Sequence, residues 1–189
     1  EIGYYCSGGI KYSCPAGTYG TVQGASDASQ CQECEAGYYC TSHPGPPTTN
    51  ETRLECGKED MFCPAGSDYP RQVDQGYFSI NEYSQDIEDN STAMTRTAQV
   101  ISPKGWYAVG GVKRPCPAGT YGDTEGLSTR DCSGFCMRGW FCPLNSVSPI
   151  RCSPGSYSTG GAPDCTSCNV PLTVPMEVKN RMCRNKRSC

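Results

Sequence analysis

The amino-acid sequence predicts a small, disulfide-rich, mainly β protein in which tandem cysteine-rich modules of short hairpins and loops form an elongated rod. The 189 residues include 16 cysteines, 22 glycines and 15 prolines, and this composition favours turns and covalent crosslinks over helices. Only 36 % of the residues are hydrophobic, cysteine included, which is too little for one large core. A long internal repeat completes the prediction, because repeated short units each build a small core of their own.

The internal repeat relates residues 3–20 to residues 105–122, and 12 of these 18 positions are identical. The most similar part is Cys-Pro-Ala-Gly-Thr-Tyr-Gly, which begins at Cys14 and again at Cys116. The same offset of 102 residues relates later cysteines of the two copies. A repeated unit marked by cysteines therefore predicts the architecture.

Four parts follow one another along the chain. Residues 1–66 are cysteine-rich repeats, and residues 67–115 are a cysteine-free insertion. Residues 116–168 are cysteine-rich repeats again, and residues 169–189 form a basic segment that we expect to close onto a neighbouring unit. Within the insertion, alternating apolar residues on both sides of a Ser-Pro-Lys-Gly turn predict a β-hairpin over residues 95–112.

Cysteine spacing favours a ladder in which each cysteine pairs with a near neighbour in the sequence. The ladder consists of Cys14–Cys31, Cys34–Cys40, Cys56–Cys63, Cys116–Cys132, Cys136–Cys142 and Cys152–Cys165. In the second copy, Ser102 and Ala108 replace both ends of one short loop together, as expected if those two positions pair. Interleaved pairing, such as Cys34–Cys56 with Cys40–Cys63, stays open because spacing alone does not determine connectivity.

The two ends of the chain suggest how units are joined. Read head to tail, Cys189 followed by residues 1–6 gives the Cys-x5-Cys pattern with the Gly-Tyr-Tyr-Cys ending found elsewhere in the chain. An inter-unit disulfide between Cys189 and Cys6, together with a Cys168–Cys183 bond, brings all 16 cysteines into use. We therefore expect one period of a longer array, joined by peptide bond, by disulfide or by both. The alternative is a maturation boundary at a cysteine, with Cys6–Cys189 closed inside one chain.

Composition also indicates a compartment and argues against several partners. This cysteine density is typical of oxidising compartments, and sequons at Asn50 and Asn90 predict N-linked glycans on an extracellular or cell-surface protein. The net charge of −3 argues against a nucleic-acid partner, and no apolar run is long enough for membrane insertion. His43 is the only histidine and has no nucleophile at a catalytic spacing, so we expect no enzyme activity, cofactor or metal.

The loops at Cys14 and Cys116, followed by closely spaced cysteines and by Gly-aromatic-aromatic-Cys, resemble the ephrin-receptor-like cysteine-rich repeats. These repeats are relatives of EGF-like and TNF-receptor-like modules. The resemblance covers residues 1–66 and 101–168. It implies rods of small β-hairpin units in large extracellular proteins, where such modules often act as spacers or filament parts. The replaced cysteine pair and the cysteine-free residues 67–100 depart from the family pattern.

We expect from these observations a structural extracellular glycoprotein, the building block of a cell-surface filament or fibre that assembles head to tail from copies of itself. One alternative is a receptor-type ectodomain that binds a protein or glycan ligand through the insertion. A weaker alternative is a protease inhibitor, which only the basic C-terminal segment suggests. Self-association separates the first two functions, because a receptor piece stays monomeric.

Overall fold

The small disulfide-rich β fold is confirmed by the computed structural model, which describes residues 1–41, 49, 53–81 and 94–168. In these ranges the chain forms nine two-stranded sheets and one short 3-10 helix, Ala28–Gln30. Each strand pairs with the next along the chain: β1 (Tyr4–Ser7) with β2 (Ile10–Ser13), β3 (Thr18–Tyr19) with β4 (Gln32–Glu33), β5 (Tyr38–Tyr39) with β6 (Leu54–Glu55), β7 (Met61–Phe62) with β8 (Arg71–Gln72), β9 (Tyr77–Ile80) with β10 (Ala98–Ile101), β11 (Trp106–Val109) with β12 (Val112–Pro115), β13 (Thr120–Tyr121) with β14 (Gly134–Phe135), β15 (Trp140–Phe141) with β16 (Ile150–Arg151), and β17 (Ser156–Tyr157) with β18 (Thr166–Ser167).

The chain divides into two compact units, one of Glu1–Val100 with Val109–Lys113 and the other of Ile101–Ala108 with Arg114–Cys189. Both units are built from the same small module, which consists of one hairpin and the turn that precedes it. We number the nine described modules in chain order by their hairpins.

Every first strand begins inside a turn segment of seven residues, whose first residue we call the opening residue and whose last we call the closing residue. Position 4 is glycine in eight modules, and the residue just before the closing residue, position 6 of the seven-residue form, is aromatic in all nine. The segments are residues 14–20, 34–40, 73–79, 102–108, 116–122, 136–142 and 152–158, with an eight-residue form at 56–63 and positions 2 to 7 at residues 1–6.

The glycine at position 4 is required by a type II turn. In the second and seventh modules, the position-5 N–H donates to the position-2 carbonyl, with N to O distances of 3.0 Å from Thr18 to Pro15 and from Thr120 to Pro117. The position-4 glycines of these modules, Gly17 and Gly119, have φ of 78° and 92°. A positive φ at this turn position is easy only for glycine, so the glycine spacing of the sequence sets where each hairpin starts.

A repeated backbone hydrogen bond joins consecutive modules within each unit. The N–H of a closing residue donates to a carbonyl in the hairpin loop of the next module. In the first unit, the N to O distances are 2.8 Å for Cys6 to Ala25, 2.9 Å for Cys40 to Ser67 and 2.9 Å for Cys63 to Arg96. In the second unit, they are 2.8 Å for Ala108 to Leu127, 2.9 Å for Gly122 to Ser146 and 3.0 Å for Cys142 to Ala162. Contact with its neighbour therefore stabilises each of these modules, as in other repeat proteins.

Disulfides occupy the positions that a hydrophobic core fills in larger proteins. Cys34, Cys40, Cys63, Cys116 and Cys142 all have 0 % exposure. The aromatic residue at position 6 packs beside them, as Tyr19 does in a cluster with Cys34 and Cys40. Buried disulfide sulfurs and one aromatic ring thus form the small core of such a module.

The six disulfides between described residues are those of the ladder, and the interleaved alternative is not formed. They are Cys14–Cys31, Cys34–Cys40, Cys56–Cys63, Cys116–Cys132, Cys136–Cys142 and Cys152–Cys165. Cys168 is also in a disulfide. Its predicted partner Cys183, and Cys189, lie outside the described residues.

The predicted hairpin over residues 95–112 is wrong. β10 pairs with β9, and β11 pairs with β12. Gly110 and Gly111, with φ of 59° and 76°, make a two-residue turn of the kind whose twist matches paired strands. The Ser-Pro-Lys-Gly sequence instead forms the type II turn of the sixth module, with a hydrogen bond of 3.0 Å from Trp106 N to Pro103 O.

The described residues of the cysteine-free range contain two further modules, the fifth and the sixth, which follow the common pattern. Residues 73–79 and 102–108 match the turn segment at positions 4 and 6 but have no cysteine at positions 1 and 7. The closing residues Ser79 and Ala108 are both fully buried, with 0 % exposure. Packing therefore holds these two segments, whereas a disulfide holds the segments that open with a cysteine.

A buried arginine supports the fifth module in place of a disulfide. Arg96 is 2 % exposed, and its Nη1 donates to the Ser79 carbonyl at 3.3 Å. The Ser79 hydroxyl donates to the Glu59 carbonyl at 2.6 Å. Burial lowers the pKa of the Arg96 guanidinium because it removes the water that stabilises the charge, and nearby Glu59 acts in the opposite direction. Polar contacts thus replace sulfur in this module.

Some position-4 glycines are required both by their positive φ and by the close approach of another part of the chain. The seventh and ninth modules separate these two requirements. A Cβ at Gly119 overlaps the backbone oxygen of Gly161, whereas Gly155, with φ of 84°, has nothing within 4 Å. We expect Gly155→Ala to cost only the positive-φ penalty, about 1–2 kcal/mol, and Gly119→Ala to cost about 1–3 kcal/mol more through overpacking. Denaturant unfolding with intact disulfides measures both, and equal losses contradict the close approach.

Ser102 and Ala108 stand where other modules have a bonded cysteine pair. We therefore predict that cysteines placed at both positions form a disulfide. The equivalent pairs Cys34–Cys40 and Cys136–Cys142 have Cα–Cα distances of 6.0 and 6.1 Å. We expect Ser102→Cys with Ala108→Cys to form a bond and to raise the free energy of unfolding by about 2 kcal/mol, the chain-entropy value for so short a loop. Thiol titration and denaturant unfolding check this, with the single variant Ser102→Cys as the control. Two additional titratable thiols in the double variant contradict it.

Candidate interaction surface

The first hairpin is the candidate site, because it carries an unpaired thiol and side chains that its own module leaves exposed. β1 and β2 are antiparallel, with Cys6 opposite Lys11 and Ser7 opposite Ile10. The two residues between the strands, Gly8 and Gly9, have φ of 59° and 81°. This tight turn fixes the register, so the cross-strand pairs follow from the Gly-Gly sequence.

Cys6 is exposed and is the one described cysteine outside a disulfide. It is the closing residue of its turn segment. In the third and eighth modules, the closing residues Cys40 and Cys142 bond to the opening residues of their own segments. No described residue of the first segment stands at the opening position, and Cys6 is not bonded to any described cysteine.

Aromatic and charged side chains line the same hairpin. The rings of Tyr5 and Tyr12 stack with centroids 5.4 Å apart, and the Lys11 ammonium lies 3.8 Å from the centroid of the Tyr4 ring. Lys11 also forms an ion pair with Glu1. Lys11 donates a hydrogen bond to the Glu1 carboxylate and places a positive charge beside it, which holds the pKa of Glu1 below its ordinary value and raises the pKa of Lys11. Both groups are exposed, so this pair adds little to stability.

Several apolar side chains of the first two modules are also exposed. In the first two modules Ile2 is 41 %, Ile10 57 %, Tyr12 42 % and Val22 49 % exposed. A module with so little interior of its own leaves these side chains in water unless another surface covers them. The hairpin can therefore form a covalent bond through Cys6 and a packed contact through its apolar and cationic side chains.

The other predicted site residues are placed as follows. Fourteen cysteines lie among the described residues, thirteen of them in disulfides and one free. Asn50 and Asn90, the predicted glycosylation sites, and His43, Cys183 and Cys189 lie outside the described residues. The described part of the chain contains no group of three or more His, Cys, Asp or Glu side chains arranged to hold a metal ion.

Within the ranges that the structure describes, no helix has the length and apolar character needed to cross a bilayer. In comparisons with known proteins, no family model and no curated sequence matches the chain.

The sequence-based prediction did not recognise the turn segment at residues 73–79. Its last four residues, Gly-Tyr-Phe-Ser, have the same kind of residue as Gly-Tyr-Tyr-Cys at three positions, a glycine followed by two aromatics. Serine replaces cysteine at the fourth. Gly76 and Phe78 were the available signal. Cysteine spacing does not reveal this segment because it contains no cysteine, whereas its glycine and aromatic positions do.

Proposed function

We propose that this chain is a structural extracellular glycoprotein and one unit of a cell-surface filament or fibre in which copies join head to tail. The observation that carries the proposal is the repeated hydrogen bond to the next module, which the closing N–H donates in seven of the nine described modules. It uses backbone groups that every module possesses, so the same contact is able to continue from one unit to the next. A self-associating array needs such a repeatable contact.

The position of Cys6 supports a covalent joint between units. Its thiol is exposed at the position where other modules have a cysteine bonded six residues upstream. In head-to-tail sequence, Cys189 of the preceding unit stands at that upstream position. An inter-unit Cys189–Cys6 bond therefore repeats the local pattern of the Cys34–Cys40 pair.

Short covalent loops support a load-bearing role. The six disulfides between described residues close loops with sequence separations of 6 to 17 residues. When a chain is pulled, residues inside a closed loop do not extend, and the unfolded chain is also less accessible to proteases. Frequent small loops along the chain suit a fibre better than they suit a site that must change shape.

The disulfide content is consistent with a non-cytosolic location, because reducing compartments do not preserve so many such bonds. We extend this to the cell surface and to N-linked glycans at Asn50 and Asn90. The relation to ephrin-receptor-like, EGF-like repeats belongs to the same proposal and rests on the Cys-Pro-Ala-Gly-Thr-Tyr-Gly loops. No catalytic role is proposed.

The test is a disulfide map of the native protein from a mixture of copies with natural and heavy nitrogen isotopes, joined after mild reduction and reoxidation. We expect peptides that link Cys6 to Cys189 to contain mixed labels, because the two cysteines come from different units. The Cys34–Cys40 link is the internal control and stays within one label, since both cysteines belong to one turn segment.

Three outcomes contradict the proposed joint: a Cys6–Cys189 link with a single label throughout, a Cys6 thiol that stays free, or Cys6 bonded to another residue. A monomeric mass for the unreduced protein favours the receptor-type ectodomain instead. Mass measurement of the unreduced material accompanies the map for this reason.

A further inference from the structure

The second, third and fourth modules of the first unit have equivalents in the seventh, eighth and ninth modules of the second unit. The Gly66 N–H donates to the Cys34 carbonyl at 2.8 Å, and the Gly161 N–H donates to the Cys136 carbonyl at 2.8 Å. Both of these opening cysteines bond to the cysteine six residues downstream. Because the two sets share one backbone framework, their surface side chains at equivalent positions are directly comparable.

In the first unit, exposed carboxylates lie on this framework, and we call Glu33, Glu35 and Glu55 the acidic surface. A Cβ at Gly66 is 2.8 Å from a Glu33 carboxylate oxygen. Arg53, which immediately precedes β6, forms an ion pair with Glu35. Residues two apart along a strand share a face, so Glu55 at the end of β6 is on the side of Arg53 and Glu35. Three carboxylates and one guanidinium make this surface negative.

In the second unit, apolar and basic side chains occupy the equivalent positions, and we call Phe135, Met137, Arg138 and Arg151 the basic surface. Phe135 and Met137 are 66 % and 67 % exposed, and both arginines are exposed. A Cβ at Gly161 is 3.5 Å from the Phe135 ring, so the ring lies beside the equivalent glycine, as a carboxylate does in the first unit. The replacements from the first unit to the second are Glu33 by Phe135, Glu35 by Met137, Ala36 by Arg138 and Glu55 by Arg151.

The fold of these modules does not require apolar side chains at these positions, because the first unit has the same backbone with glutamates there. The strands themselves correspond: β6 reads Leu-Glu and β16 reads Ile-Arg, each directly before an opening cysteine. The two surfaces thus differ in charge and share their backbone. Exposed Phe135 and Met137 together with two arginines are the residue types enriched where one protein binds another.

We propose that the basic surface binds the acidic surface of a second copy of this chain. The two arginines then face the carboxylates of the other copy, and Phe135 and Met137 are removed from water. This inference rests on the proposed function and names the non-covalent contact by which units associate.

A second copy is the occupant because the two surfaces have opposite charge and belong to the same sequence. Facing charges of opposite sign guide association and fix its register, whereas two basic surfaces repel. The contact joins two different surfaces, so each added copy presents one further surface of each kind. Association of this type continues as an open array, which is what a filament requires.

The experiment measures reversible association of the full chain carrying Cys6→Ser, so that no bond through Cys6 contributes. Sedimentation velocity over a range of concentrations gives the dissociation constant. One variant, Arg138→Glu with Arg151→Glu, makes both surfaces acidic, and the other, Glu33→Arg with Glu55→Arg, makes both surfaces basic. Positions 55 and 151 exchange the residues that the framework already accepts there.

We expect the Cys6→Ser chain to associate reversibly and each charge variant alone to raise the dissociation constant about tenfold or more, because like charges then face each other. An equimolar mixture of the two variants restores association, because every acidic surface of one finds a basic surface of the other. This restoration also shows that both variants are folded.

The matched control is Lys104→Glu with Arg130→Glu. Both residues are exposed and lie outside the basic surface, and the change in net charge is the same, so we expect an unchanged dissociation constant. Phe135→Glu tests the apolar part with the residue that the equivalent position of the first unit carries. We expect it to raise the dissociation constant about tenfold, and it decides the question if a charge variant fails to fold.

Four results overturn the inference: a Cys6→Ser chain that stays monomeric at every concentration, a mixture of folded variants that associates no better than either alone, an equal loss in the control, or no effect of Phe135→Glu. None of them bears on the labelled disulfide map, which tests the covalent array separately. Conversely, association that is lost and then restored by mixing, with no mixed-label Cys6–Cys189 peptide, supports this contact while removing the covalent joint.

Discussion

Closure of the seven-residue turn segment is the constraint on which the rest of the molecule depends. A module of one short hairpin is too small to form a hydrophobic core. Where its opening residue is cysteine, a disulfide to a cysteine nearby in the sequence stabilises it. Where the closing residue is cysteine, as in Cys34–Cys40, the segment closes on itself. Where the closing residue is Gly122, a Cβ there meets the Cys116 sulfur at 2.9 Å, and Cys116 bonds instead to Cys132 across the loop. The two disulfide types are therefore alternative solutions to one packing problem.

The fifth and sixth modules show how the same geometry survives without sulfur. Ser79 and Ser102 occupy fully buried positions, and each hydroxyl donates to a backbone carbonyl, Ser79 to Glu59 and Ser102 to Leu127. Buried hydroxyls are stable only with such partners. These modules are stabilised by contacts with their neighbours, and local unfolding is expected to begin where covalent closure is missing.

Contact between modules decides whether the turn and the lysine of a hairpin are covered or exposed. An internal module has its turn and lysine covered by the module before it, as the sixth hairpin does through Phe78 and Ser79. The first hairpin has the same groups, and among the described residues a Cβ at Gly9 meets nothing within 4 Å and Ile10 is exposed. Contact between modules is therefore what connects the fold to the proposed assembly.

Sequence by itself determined the fold class and the likeness of the first and sixth hairpins, and it favoured the disulfide ladder that the described cysteines form. These depend on short-range spacing: a glycine at a positive-φ turn position and two cysteines a few residues apart leave little freedom. Only the tertiary structure decided that β10 pairs with β9, that residues 73–79 are a module, and that the sixth hairpin is covered while the first is exposed. Strand partners and burial depend on groups distant in sequence, such as Arg96 beneath Ser79, and no local spacing encodes them.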